Sequence, residues 1–230
     1  TTATRVNRAG FIEEVAANMP RLTYLTVGGN PFLLDEPQAT NLTIESNNFN
    51  TGSWNKFQVS AVLISSTAPN GDANVFKLQA TTANGNHGIT NVGKTVSANT
   101  IITQSVFAKK AELDFVLLLT FDGTSDKGNY FDLNNGVVGV SVNGAVGNIV
   151  DFGNGWYRCS STFTSRPSTA NATPNINPTF QNGVRAFSAS SDSQGILIFG
   201  HQFELGANLT SYIPTTNAAV TRNADVITRT

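Results

Sequence analysis

The run Gly195-Ile-Leu-Ile-Phe-Gly-His-Gln-Phe-Glu-Leu205 sorts itself cleanly when read as extended chain. Side chains alternate along a strand, so Leu197, Phe199, His201, Phe203 and Leu205 share one face, and Ile196, Ile198, Gln202 and Glu204 share the other. The first set is the expected core face. Leu113-Asp-Phe-Val-Leu-Leu-Leu-Thr-Phe121 puts Leu113, Phe115, Leu117, Leu119 and Phe121 on one side, with Val116 and Leu118 opposite. A strand apolar on both faces is expected to lie centrally and to be covered on both sides, by a terminal arm or a neighbouring subunit. In Trp156-Tyr-Arg-Cys-Ser-Ser-Thr-Phe163 the alternation turns Tyr157, Cys159 and Phe163 inward and Trp156, Arg158, Ser160 and Thr162 the other way.

Outward from these runs, β-branched and aromatic segments recur roughly every ten residues from Asn41 onward, a spacing typical of sandwiches and barrels. Turn residues punctuate them at Pro69-Asn-Gly71, Asn84-Gly85, Asp122-Gly123, Asn135-Gly136, Asn143-Gly144 and Asn154-Gly155. The expected architecture is one all-β, antiparallel β-sandwich over 41–215, with an N-terminal arm, 1–40, packed on it and a C-terminal extension, 216–230. Phe11, Ile12, Val15, Ala16 and Met19 leave a short helix open as the alternative to an extended arm. Ser165 to Asn182, rich in Ser, Thr, Asn and Pro, is expected to be a long loop.

Composition narrows the function. Fifteen acidic residues stand against fourteen basic ones, a net charge of −1 that produces no field to draw a polyanion or an anionic membrane. Nucleic acid is therefore not expected as a partner. No apolar run approaches the roughly 20 residues of a membrane helix, so membrane insertion is not expected either. Only 13% of residues are charged, so the surface relies on neutral hydrogen-bonding groups. Cys159 is the single cysteine, which excludes an intrachain disulfide and a cysteine-based zinc site. The chain starts at Thr1, with no initiator Met and nothing like a signal peptide, as expected of a fragment of something longer.

An ordered series of short words carries a family resemblance: Thr2-Ala-Thr-Arg-Val-Asn7, Gly10-Phe-Ile-Glu13, Ala17-Asn-Met-Pro-Arg21 and Leu33-Leu-Asp-Glu-Pro-Gln-Ala-Thr-Asn-Leu42. Ser46-Asn-Asn-Phe49 with Trp54, Asp151-Phe-Gly-Asn-Gly-Trp-Tyr-Arg-Cys159, Phe203-Glu-Leu-Gly206, Thr210-Ser-Tyr-Ile-Pro-Thr215 and Ala219-Val-Thr-Arg222 complete it. Together they resemble bacteriophage tail-fibre and head-fibre proteins with a jelly-roll domain of the carbohydrate-binding-module type. From Asn74 to Asn148 the match is in strand pattern more than in words. The resemblance implies a virion location, oligomerisation, in particular as a homotrimer, contacts with other virion subunits, and no catalytic residues. It also implies a structural calcium near the chain ends, for which Glu36, Asn47 and Glu204 supply oxygen ligands, with surface charge or loop capping as the other reading.

The residues themselves contain no recognisable catalytic set. Acid-base cleavage of a glycan requires two facing carboxyl groups about 5 to 10 Å apart, and no pair is evident among the acids. His87 sits in a Gly-Asn turn and His201 on a core-facing alternation, so neither serves a Ser-His-Asp arrangement. Sugar recognition wants an exposed aromatic face beside hydrogen-bonding groups. Trp156 with Arg158 meets that description unless Trp156 packs under a loop or at an interface, while Tyr130 and Tyr212 are secondary candidates and Trp54 belongs in the core. The expectation is a non-enzymatic virion module that binds glycans. The competing readings are a carbohydrate-binding module of a secreted polysaccharide-degrading enzyme and a structural spacer.

Overall fold

The structure is a computed structural model that describes residues 3–16, 19–25 and 27–226. Parts of the expected arm (1–2, 17–18 and 26) and the last four residues of the expected C-terminal extension (227–230) lie outside the described residues. The described residues form strands and turns with no helix, arranged as an antiparallel β-sandwich of the jelly-roll type. One sheet has six strands, in the order Val146–Gly153, Trp156–Thr164, Ile101–Lys110, Gly195–Leu205, Asn74–Ala80, Val59–Ser65. The other runs Val137–Val142, Asp126–Asp132, Phe115–Phe121, Ala170–Thr179, Gly88–Asn91, Trp54–Phe57, with Lys94–Val96 also paired to Ala170–Thr179.

Between the sheets lies a core that includes Phe49, Trp54, Leu78, Ile89, Val106, Leu118, Phe131, Cys159, Ile176 and Ile198. It continues toward one end through Val96, Ile102, Phe163 and Phe203. As alternation requires, Cys159 and Phe163 face inward and Trp156 and Arg158 outward. A polar chain crosses the apolar interior. Thr120 donates to Gln104 at 2.7 Å, Gln104 donates to His201 Nε2 at 3.0 Å and to the Asn175 carbonyl at 3.0 Å, and His201 Nδ1 meets Thr43 Oγ1 at 2.8 Å. Because Nε2 accepts, Nδ1 carries the proton and the imidazole is neutral. His201 is thus a hydrogen-bonded core histidine, with the Trp54 ring edge-on to it at 5.2 Å.

The expected core face of Gly195–Leu205 is right for only half the strand. Ile196 and Ile198 point between the sheets, whereas Leu197 and Phe199 point outward; beyond Gly200 the assignment reverses, and His201 and Phe203 point in. The register with Ile101–Lys110 jumps from Ser105↔Gln202 to Phe107↔Phe199, so Gly200 and His201 together oppose Val106. This is a β-bulge, and Gly200 takes the left-handed conformation it needs, with φ +59°. One extra residue shifts the parity, which strict alternation cannot anticipate.

The expected Ser165–Asn182 loop is also corrected, because Ala170–Thr179 is a central strand of the second sheet. Pro174 and Pro178 made that segment look strand-averse. Both pair with Phe115–Phe121, opposite Thr120 and Val116, while on the other side the short strands Gly88–Asn91 and Lys94–Val96 meet only Ile176, Asn175 and Ala170 to Ala172. The prolines therefore face breaks in that ladder, where no N–H donor is required.

Phe115–Phe121 is central, as expected, and Leu117 and Leu119 are buried on its outer side with Tyr130. Within the single chain both are already buried, packed with Tyr130 and Val142. The segment after Thr179 folds back, Asn182 accepting the Val140 N–H at 2.8 Å and Arg185 pairing with Asp126 at 2.7 Å.

The N-terminal arm is two hairpins, Ala3–Val6 with Ile12–Val15 and Leu22–Tyr24 with Pro31–Leu33, so the helical alternative fails at Ile12–Val15. The first hairpin docks on the outer face of the six-stranded sheet. There the Ile12 N–H donates to the Pro69 carbonyl at 2.9 Å, the Thr4 hydroxyl donates to the Tyr212 carbonyl, and Ile12 joins Trp156, Phe107, Leu197 and Phe199 in a second apolar cluster. The end of the arm, Ala39–Asn41, pairs with Val220–Arg222. An ion network reinforces that clasp: Arg21 bonds Glu36 at 2.9 Å and also pairs with Asp225, and Arg222 lies 3.4 Å from Glu36.

Candidate functional site

The two hairpins do not lie flat on the sheet. Between them and the outer face of the six-stranded sheet is a cleft of about 570 Å³, within the usual range for a small-molecule site. Its floor is made by Phe107 and Arg158, register partners on adjacent strands, with Tyr212 beside them. Partly exposed Tyr24, Phe32 and Phe152 contribute aromatic surface to its walls, and Thr210 and Ser211 contribute polar groups. Leu25 and Val27 stand exposed at the mouth.

Arg158 is the distinctive group. Its guanidinium carbon lies 5.1 Å from the centroid of the Phe107 ring, a cation–π contact. Nη2 reaches Ser105 Oγ only at 3.4 Å, and Nε is shut off from solvent with no hydrogen-bond partner among the described residues. Burial pushes its pKa down to about 10, against the opposing pull of Glu204, Glu36 and Tyr212. Neither carboxylate turns to it, since Glu204 accepts from Thr210 and Gln202 and Glu36 accepts from Ser211 and Arg21.

Of the expected sugar-facing residues, only Arg158 presents itself to a cavity as a free polar group. Trp156 is 2% exposed, packed under the first hairpin with its Nε1–H on the Thr67 carbonyl at 3.0 Å, so it offers no platform. Tyr130 is buried against Leu117 and Leu119. Tyr212 touches the cleft but is 5% exposed, and its hydroxyl is 2.6 Å from Ser46 Oγ. Trp156 follows the outward alternation expected of it; what covers it is the first hairpin, far away in sequence.

The three expected calcium ligands are otherwise engaged. Glu36 sits between the guanidinium groups of Arg21 and Arg222, which repel a cation. Burial works to raise its pKa, but the Ser211 donors with Arg21 and Arg222 outweigh that and hold it below the ordinary value. Glu204 caps the Thr210 backbone, and Asn47 accepts the Gly200 N–H at 3.2 Å, supporting the bulge. Among the described residues no group of three or more His, Cys, Asp and Glu side chains is placed to hold a metal ion. The alternative reading, loop capping, describes Glu204 and Asn47 as they stand.

Sequence reasoning missed the walls of the cleft. Tyr24 and Phe32 belong to short strands whose burial depends on how the hairpins dock, and Phe107 is one apolar residue within a mixed strand. The word Asp151-Phe-Gly-Asn-Gly-Trp-Tyr-Arg158 held a signal, since it carries Phe152 and Arg158 together.

No family model and no curated protein matches the chain. Among solved structures, the enzymatically active domain of tailspike protein 4 from bacteriophage CBA120 is similar with a TM-score of 0.40 and 13% identity, covering 70% of this chain and 21% of that one. The chain thus spans about a fifth of that structure. The CBM22-2 xylan-binding domain of Paenibacillus barcinonensis Xyn10C is similar with a TM-score of 0.43 and 9% identity, covering 72% of this chain and 98% of the domain. At such scores the likeness is one of broad fold and assigns no activity.

Proposed function

We propose that this chain is a non-enzymatic recognition module of a phage fibre or other virion protein, and that it binds host-surface or environmental glycans in the cleft between its N-terminal hairpins and the six-stranded sheet. The observation that carries the reading is that cleft, which combines partly exposed aromatic walls with the guanidinium of Arg158 on its floor. Aromatic faces suit the C–H side of a pyranose, and the polar groups suit its hydroxyls. The virion setting rests on the resemblance of the ordered sequence words. A carbohydrate-binding module of a secreted enzyme would use the same cleft, and the two settings differ in assembly.

A virion module of this kind is expected to assemble, as a trimer and with other virion subunits. Val137 and Val140 on one edge strand and Val146 and Val150 on the edge strand of the other sheet are exposed, which supplies apolar surface for such contacts. Sedimentation of the purified chain tests this, a trimer supporting the fibre setting and a strict monomer favouring the enzyme-appended module. Glycan-array binding by the parent protein tests recognition, and loss of the array signal on Phe152→Ala or Tyr24→Ala assigns it to the cleft. An array with no signal would reduce the module to a spacer.

A further inference from the structure

We infer that the ligand of this cleft is an acidic saccharide, held by pairing of its carboxylate with the guanidinium of Arg158; the inference deepens the glycan reading above and rests on it. Arg158 lies on the cleft floor, and among the described residues its terminal nitrogens make one hydrogen bond, a long one of 3.4 Å from Nη2 to Ser105. A guanidinium presents five donors in a planar fork, and a carboxylate is the planar anion that accepts two of them side by side.

The charges around Arg158 leave it as the open cation. Arg5 is paired with Glu13 at 2.6 Å, Glu36 is neutralised by Arg21 and Arg222, and Glu204, whose charge also acts on Arg158, turns its oxygens to Thr210 and Gln202 instead of to the guanidinium. Asp151 stands exposed, with one oxygen accepting the Gly153 N–H at 2.8 Å. One open cation matches one negative charge, as a uronic or sialic acid provides, better than the double charge of a phosphomonoester. The Phe107 ring under the guanidinium holds the fork in place while leaving its N–H edge available.

The test is an array and titration of the purified chain against oligogalacturonate and sialyllactose, each beside its neutral counterpart, carboxyl-reduced oligosaccharide and lactose, with a sulfated neutral saccharide as a third arm. The expected result is binding of an acidic saccharide roughly tenfold or more tighter than its neutral partner. Arg158→Gln should abolish that preference and Arg158→Lys should retain part of it. Should Arg158→Gln not fold, the matched pairs in the parent protein decide alone, with the arginine Nε–H resonance expected to shift on adding the acidic saccharide. Equal affinity for acidic and neutral forms overturns the inference and leaves the glycan reading standing, as does binding of the sulfated saccharide in preference to the carboxylated ones. Silence across all arms, neutral ones included, removes the glycan reading and this inference with it.

Discussion

Arg158 and Phe107 are register partners on adjacent strands, and the guanidinium of one stacks over the ring of the other, with 5.1 Å between its carbon and the ring centroid. This places a cation on the outer face of the sheet, beneath two hairpins that come from the far N-terminal end. The same face holds Trp156, Leu197 and Phe199, so floor and scaffold of the cleft are one continuous surface. Substitutions there separate into those that act on stability and those that act on ligand.

Trp156→Ala belongs to the first kind. The indole is buried and its N–H is bonded, so truncation should lower unfolding free energy by about 3–5 kcal/mol, the usual range for a large buried aromatic. Urea unfolding followed by circular dichroism measures it. A variant of unchanged midpoint would mean that the side chain is not packed under the hairpin.

Gly200→Ala tests the bulge. An L-residue at φ +59° is strained, and the added Cβ would lie 3.1 Å from the Tyr212 ring and 3.3 Å from that of Phe107. The expected loss is on the order of 1–3 kcal/mol, with the disturbance spreading to both rings. Thermal unfolding beside Gly144→Ala, which has a comparable left-handed φ of +74° but nothing near its Cβ, isolates the steric part.

Stability should fall in mild acid because of His201. Burial, with a smaller contribution from Lys94, depresses its folded pKa to about 3, below the roughly 6.5 of an unfolded histidine. The unfolded chain therefore binds more protons between these values. The stabilisation is complete above about pH 6.5 and is lost as pH falls from there toward 3, at up to about 1.4 kcal/mol per pH unit. Glu36 and Asp225 contribute lower down, since their folded values lie below the ordinary carboxylate range. Denaturant midpoints between pH 7 and pH 5 check the effect, and His201→Gln should flatten the slope in that window.

Cys159 should be inert in the folded protein. The thiol is wholly buried, and burial pushes its pKa far above the ordinary value, which suppresses the reactive thiolate. Labelling with a thiol reagent should be undetectable in buffer and stoichiometric in denaturant. Rapid labelling of the native chain would contradict the packing between the sheets.

Alternation along the chain was sufficient to determine an antiparallel sandwich, the inward set of Cys159 and Phe163, the outward direction of Trp156 and Arg158, and the core position of His201. These follow from local geometry, because a strand's two faces are written in its own residues. Tertiary structure alone decided the rest. The parity change at Gly200 arises from a mismatch with a partner strand, and the place of Pro174 and Pro178 in a central strand arises from gaps in a neighbouring ladder. The cleft around Arg158 exists because N-terminal hairpins dock over strands much further along the chain, turning one outward-facing row into buried scaffold at Trp156 and open floor at Arg158. No periodicity within a segment encodes which distant segment will cover it.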